Sequence, residues 1–242
     1  MEWLDEGVVI SQRRHGESAA IVSLFTSIHG RHAGLARGAK GVRSRGVYQQ
    51  GNQVTVSWRA RLSEHLGTFN CELKDARAAR IINNPLQLAA LSSVCALIEV
   101  GLPERHPYPD LYHSTIDLMD LFDDDDTWPR KLVFWELQLL AELGFGLDLS
   151  ACAVTGEKNN LTYVSPRSGR AVTNVVGAPY AHKLLRLPNF ILEPSIINPQ
   201  NKDILSGLKL SGWFIARYLL EEFGGHLPPA RERLVDYWKN LS

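Results

Sequence analysis

The chain has 242 residues, with 26 Lys+Arg against 26 Asp+Glu and 45% hydrophobic side chains. That length and apolar content support one or two domains with real cores and exclude an intrinsically disordered chain. The formal charge is zero, yet residues 1–80 carry twelve basic and seven acidic side chains, whereas residues 81–242 carry fourteen and nineteen. The neutral total is therefore a cancellation of +5 and −5, and between residues 11 and 61 nine Arg/Lys stand against a single acid, Glu17. Such asymmetry predicts two domains with different partners.

The opening Met1-Glu2-Trp3-Leu4-Asp5-Glu6 is acidic and lacks the basic and apolar regions of a secretory signal. The longest apolar stretch, 86–102, is interrupted by Gln87, Ser92, Ser93 and Glu99, so it reads as a buried helix and not as a membrane span. Cys71, Cys95 and Cys152 are scattered and form no CxxC, as suits reduced thiols. A soluble, cytoplasmic protein is expected.

In chain order, residues 7–13 and 19–26 read as strands, with turn chemistry at His15-Gly16-Glu17-Ser18. Residues 30–37 supply a third strand. Residues 53–59 supply a fourth, in which Val54, Val56 and Trp58 alternate with polar neighbours, and 67–73 alternate similarly. Five short strands without a long helix fit a small closed barrel, for which the oligonucleotide-binding OB-fold is the five-stranded example. Asn84-Pro85 marks a boundary, with Pro85 suited to the first turn of a helix. Further helices are expected over 109–122 and from Thr127 to Leu143, the latter apolar nearly all round and so central. Residues 149–180 lose the helical period and read as a loop-rich insertion with short strands. Helical pattern returns at 179–185, at 203–223 and at 229–241. The expected architecture is α+β and multidomain, with a barrel over 1–80 and a helical domain over 81–242.

Residues 30–46 hold five glycines, five basic side chains and no acid. Glycine lets a ligand approach the backbone closely, and Arg31, Arg37, Lys40, Arg43 and Arg45 add a dense positive field whose natural counterpart is phosphate. The segment is not a P-loop: Ala39 separates Gly38 from Lys40, and Gly41 stands where Ser or Thr is required. Trp3, Phe25, Tyr48, Trp58 and Phe69 are interleaved with the charge, and Tyr48, beside the basic loop, is the first candidate to stack on a base. His29-x-x-His32 has metal-like spacing without nearby Cys or carboxylate partners, and the run Asp123 to Asp126 reads as capping and dipole chemistry at a helix start. No nucleophile–base motif appears, so no catalytic residue, cofactor or metal is assigned.

Several segments in order resemble the RecO family of bacterial DNA repair and recombination mediators. They are Asp5-Glu6-Gly7-Val8-Val9-Ile10, Gly16-Glu17-Ser18, Gly38-Ala39-Lys40-Gly41-Val42-Arg43-Ser44-Arg45, Gln49-Gln50-Gly51-Asn52, Leu66-Gly67-Thr68, and the helix running from Phe134-Trp135-Glu136 to Gly144-Phe145. The resemblance covers nearly the whole length. It implies an N-terminal OB-fold, a helical C-terminal domain, binding of single- and double-stranded DNA, and annealing of complementary strands. It also implies cooperation with RecR to load RecA onto strands covered by single-stranded-DNA-binding protein (SSB), whose acidic tail would dock on the helical domain. Many members of the family carry a four-cysteine zinc module in the insertion. Here only Cys152 remains, with Thr155 in the place of a CxxC partner, so a degenerate, zinc-free module is expected.

On this reading Arg13, Arg14, Arg31, Arg37, Lys40, Arg43, Arg45, Arg59 and Arg61 form a DNA-binding groove, assisted by Tyr48. Arg130 and Lys131 at one helix start are candidates for docking the SSB tail. The rival expectations are a nucleic-acid-processing enzyme using the same barrel and an RNA-binding OB-fold adaptor.

Overall fold

The computed structural model describes residues 1–39, 41, 46–123, 126–193, 195–221 and 224–242. The chain divides into two compact units, Met1–Asp124 and Asp125–Ser242.

In the first unit, β1 (Glu2–His15), β2 (Ala19–Thr26), β3 (Gly30–Ala36), β4 (Gln53–Arg59) and β5 (Thr68–Asp75) close into a barrel of order β1-β2-β3-β5-β4. All ladders are antiparallel except β3–β5, a parallel pair formed by Leu35 with Thr68 and Ala36 with Phe69. This is an OB-like ring. Strand alternation aims Val54, Val56 and Trp58 inward, where they meet Val9, Val22, Leu24, Ala36 and Phe69. β1 begins five residues earlier than its apolar pattern predicts, because Glu2 to Val8 pair with β4. Its second half pairs only with β2, so residues 12–18 are exposed in a hairpin beyond the barrel.

The first unit extends past the barrel. A single turn, α1 (Arg77–Arg80), leads to α2 (Pro85–Gly101), whose N-terminus is capped by Asn84 Oδ1 accepting from Leu86 and Gln87 N–H at 3.2 Å. α2 packs on β1, with Leu91 against Gly51 and the Cys95 thiol at 3.9 Å from the Val9 carbonyl. α3 (Pro109–Asp120) is tied back through buried Arg77, which donates to Asp120 Oδ1 (2.8 Å) and Gln53 Oε1 (3.1 Å). The last barrel strand ends at Asp75, and the compact unit around the barrel also takes in α2 and α3.

The second unit is built on α4 (Trp128–Glu142), α7 (Asn201–Phe214) and α8 (Pro229–Leu241), with a π turn over Ile215–Leu219 at the end of α7. The insertion is ordered as β6 (Leu161–Val164) and β7 (Ala171–Thr173), joined by β8 (Leu185–Arg186) in a sheet of order β7-β6-β8, with short turns α5 (Asn174–Gly177) and α6 (Asn189–Leu192). The helical signal at 179–185 is a 3-10 turn, Ala178–Lys183. Of the acidic run expected at the start of α4, Asp123 is bound to Arg80, and Asp124 and Asp125 lie outside the described residues; the N-cap residue Thr127 makes no capping bond with its own side chain. The helices interlock through a fully buried ion pair. Arg231 Nε and Nη2 donate to Glu136 Oε1 and Oε2 at 2.8 and 2.9 Å, with exposures of 1% and 0%, and Ser211 Oγ completes the carboxylate.

Breaking that pair from one side strands a charge in the core. Arg231→Met is expected to destabilise the second unit by about 3–5 kcal/mol, whereas Arg231→Met with Glu136→Leu recovers most of the loss. Urea unfolding followed by tryptophan fluorescence checks this; equal losses in the single and double variants would contradict it.

Candidate nucleic-acid interface

The structure sorts six of the nine cations that the sequence singles out. Arg13 and Arg14 project from the exposed β1–β2 hairpin, and Arg37 is exposed just beyond β3. Among the described residues none of these three forms an ion pair. Arg31, by contrast, is consumed by the fold. Its Nε donates to the Leu102 carbonyl (2.8 Å), its Nη1 meets Glu104 (3.2 Å), and its backbone carbonyl accepts from Arg105 N–H (2.7 Å). Lys40, Arg43 and Arg45 lie outside the described residues.

Arg59 and Arg61 flank the seam where β3 meets β5. There Leu35, Arg59, Ala60, Arg61, His65, Leu66, Gly67 and Thr68 line an open cleft of about 680 Å³. The seam depends on Gly67. At φ +66° it adopts a conformation that side chains disfavour, and a Cβ would stand 2.2 Å from Trp58 Nε1. Next to it Trp58 Nε1 donates to the Leu66 carbonyl at 2.9 Å, fixing the loop against the barrel. Arg59 is exposed and paired with Glu2 at 2.7 Å, a surface contact of small net value that a phosphate can displace.

Tyr48 is not a stacking platform. It is 5% exposed, packed in the barrel core and hydrogen-bonded to Cys71, and burial pushes its phenol up. Its proximity in sequence to the basic loop misleads because the chain turns inward at once: Asn52 Nδ2 donates to the Gly46 carbonyl (2.6 Å) and Gly51 N–H to that of Val9 (2.8 Å).

The aromatic face lies instead around Trp3, whose ring stacks on His29 at 4.0 Å and 10° and on Trp58 at 5.6 Å and 19°. His29 and His32 do not converge as a ligand pair. His29 Nδ1 is bonded to Asp5 Oδ2 (2.9 Å), and His32 Nδ1 faces the Ala33 carbonyl (2.9 Å), with burial lowering its pKa. No group of three or more His, Cys, Asp or Glu among the described residues is arranged to hold a metal.

In the second unit Arg130 lies on α4 with its guanidinium 4.7 Å from the centre of the Phe134 ring, and Lys131 is exposed. Within the insertion Cys152 is buried, and Thr173 N–H donates to its sulfur at 3.4 Å. Burial opposes ionisation, but hydrogen bonds from the Thr155 side chain and from the backbone at Thr155, Thr173 and Val154 outweigh it and bring the thiol down to about 6. One sulfur held by hydroxyl and amide donors is not a tetrahedral donor set, so these residues do not fit the zinc of a four-cysteine module.

Fold and surface together define a two-unit protein with a cation-edged, OB-like barrel and a separate helical unit. Residues 1–77 match the family model for the recombination protein O N terminus, and residues 82–225 match that for its C terminus. The chain is 45% identical over its full length to the DNA repair protein RecO of Rhodospirillum rubrum, covering 98% of that protein. It is 46% identical to that of Rhodospirillum centenum (99% of this chain, 95% of the relative) and 43% identical to that of a Ruegeria species (98% of each). The chain belongs to the RecO family of DNA repair and recombination proteins, mediators and not enzymes, which removes the nucleic-acid-processing alternative. Among the described residues no helix is long and apolar enough to cross a membrane.

The thiol supplies a pH test of the insertion. Its folded pKa lies below its unfolded value near 9, so its stabilising contribution is full above that pH and is lost as pH falls toward 6. The melting temperature of wild type minus that of Cys152→Ser is expected to grow from pH 6 to pH 9; a pH-independent difference would contradict the assignment.

Proposed function

We propose that the chain is a DNA-binding recombination mediator that anneals complementary strands and, with RecR, helps to load RecA onto SSB-coated DNA. The supporting observation is the open cleft at the β3–β5 seam, edged by Arg59 and Arg61, on a barrel with nine basic residues against one acid between residues 11 and 61. Arg13, Arg14 and Arg37 extend the positive surface. Lys40, Arg43 and Arg45 add to it by sequence, while Arg31 contributes to the fold and Tyr48 to the core. The barrel over 1–80 is the DNA-binding part in this reading, and it takes both single- and double-stranded DNA. A cationic surface concentrates two strands and screens the repulsion between their phosphates, and duplex formation then runs downhill without ATP. The helical part is the docking surface for protein partners, with Arg130 and Lys131 receiving the acidic SSB tail.

Contact with about five phosphates gives a slope of log K against log salt near −3.5 on single strands. Arg59→Glu with Arg61→Glu is expected to make that slope shallower by about 1.4 and to slow annealing, as does charge reversal at Lys40, Arg43 and Arg45. Anisotropy titrations across salt and oligonucleotide annealing assays measure both. Wild-type binding and annealing by both charge-reversed proteins would refute the barrel assignment.

A further inference from the structure

We propose that the end of the barrel around Trp3 and His29 is a stacking site for a single unpaired nucleobase, next to the cation-edged seam and distinct from it in using rings in place of charges. The inference rests on the DNA-binding reading and deepens it. Three rings form a ladder. Trp58 is buried in the core, Trp3 stacks on it, and His29 stacks on Trp3 as the outer, partly exposed member, its side chain 29% accessible. The outer ring cannot swing away. Asp5, a carboxylate only 3% accessible, accepts from His29 Nδ1 (2.9 Å) and from the backbone N–H of Ile28 (2.9 Å) and His29 (3.2 Å), and its other oxygen accepts from Glu6 N–H (2.8 Å). An aromatic surface held in place before the ligand arrives loses little freedom on binding, which is what makes stacking productive.

The ladder borders a cleft of about 500 Å³, within the range of small-ligand sites, which is also lined by Glu2, Ile28, Ser63 and Arg105, the Glu2 carboxylate being paired with Arg59 at 2.7 Å. Arg105 has φ +62°, and its guanidinium donates to the carbonyls of Ser63 (2.6 Å), Glu64 (3.1 Å) and His65 (3.0 Å). A flat π face with a fixed cation beside it matches a base and its adjoining phosphate better than an aliphatic side chain, and it is indifferent to base identity. The His29/His32 pair that the sequence singles out for metal-like spacing thus supplies one stacking ring and one buried wall.

The test uses the full chain and two single strands, one of normal bases and one fully abasic. His29→Ala leaves Asp5 its three backbone donors, so the fold is expected to persist, and His29→Phe restores a ring without the hydrogen bond. The expected result is about a tenfold weaker binding of the normal strand by His29→Ala, recovery with His29→Phe, no change for the abasic strand, and an unaltered salt slope. Equal effects on both strands, or wild-type binding by His29→Ala, would overturn the stacking site and leave the cleft to a protein side chain. The DNA-binding reading fails separately, if wild type shows no salt-dependent binding to either strand.

Discussion

Closure of the barrel depends on two residue pairs. Among the described residues, β3 and β5 run parallel with just two pairs in register, Leu35–Thr68 and Ala36–Phe69, yet without that contact the sheet has two open edges. The approach is made possible by a glycine seated against the Trp58 indole and by the indole's own hydrogen bond to the loop. The same constraint shapes the surface above it. The β4–β5 connection must double back across the seam, which sets Arg59, Arg61 and His65 around a shared depression instead of scattering them in solvent. The binding surface is therefore a by-product of how the ring is sealed.

Arginine serves two purposes in this chain, and the acceptors around each one decide which. Arg31, Arg77, Arg105 and Arg231 direct their guanidinium groups at carbonyls, carboxylates or amide oxygens of the protein and join segments distant in sequence. Planar, multiply donating guanidinium suits that work better than lysine ammonium does. Arg13, Arg14, Arg37 and Arg61 have no such carboxylate among the described residues, and their charge faces water. A count of basic residues cannot make this distinction, although it shows that the excess lies in the first 80 residues.

The elements that periodicity and capping specify were legible: β4 from Val54, Val56 and Trp58, and α2 from Asn84-Pro85. The beginning of β1 was not, because Asp5 sits at a buried position where alternation calls for an apolar residue, and only the turn at Ile28 and His29 explains why a carboxylate belongs there. The same holds for Arg31, whose partners Leu102 and Glu104 come from a loop about seventy residues on. Tyr48 was placed by its neighbours in sequence and buried by its neighbours in space. At the candidate site, composition identified the cations at the seam, but the Trp3–His29 ladder arises from three segments distant in sequence that only the pairing of β1 with β2 and with β4 brings together.

The buried pair in the second unit also fixes an order of events. Glu136 lies 95 residues before Arg231, and its carboxylate has no other cation among the described residues to satisfy it. During synthesis α4 emerges long before α8, carrying a charge that cannot enter an apolar core alone. The first unit draws its own cross-links from residues up to about 120 and can mature while the ribosome is still making the rest. The second unit must wait for its last helix. Until then the second unit cannot close its core around Glu136, so its apolar faces stay open to misassociation for longer than those of the first unit need to.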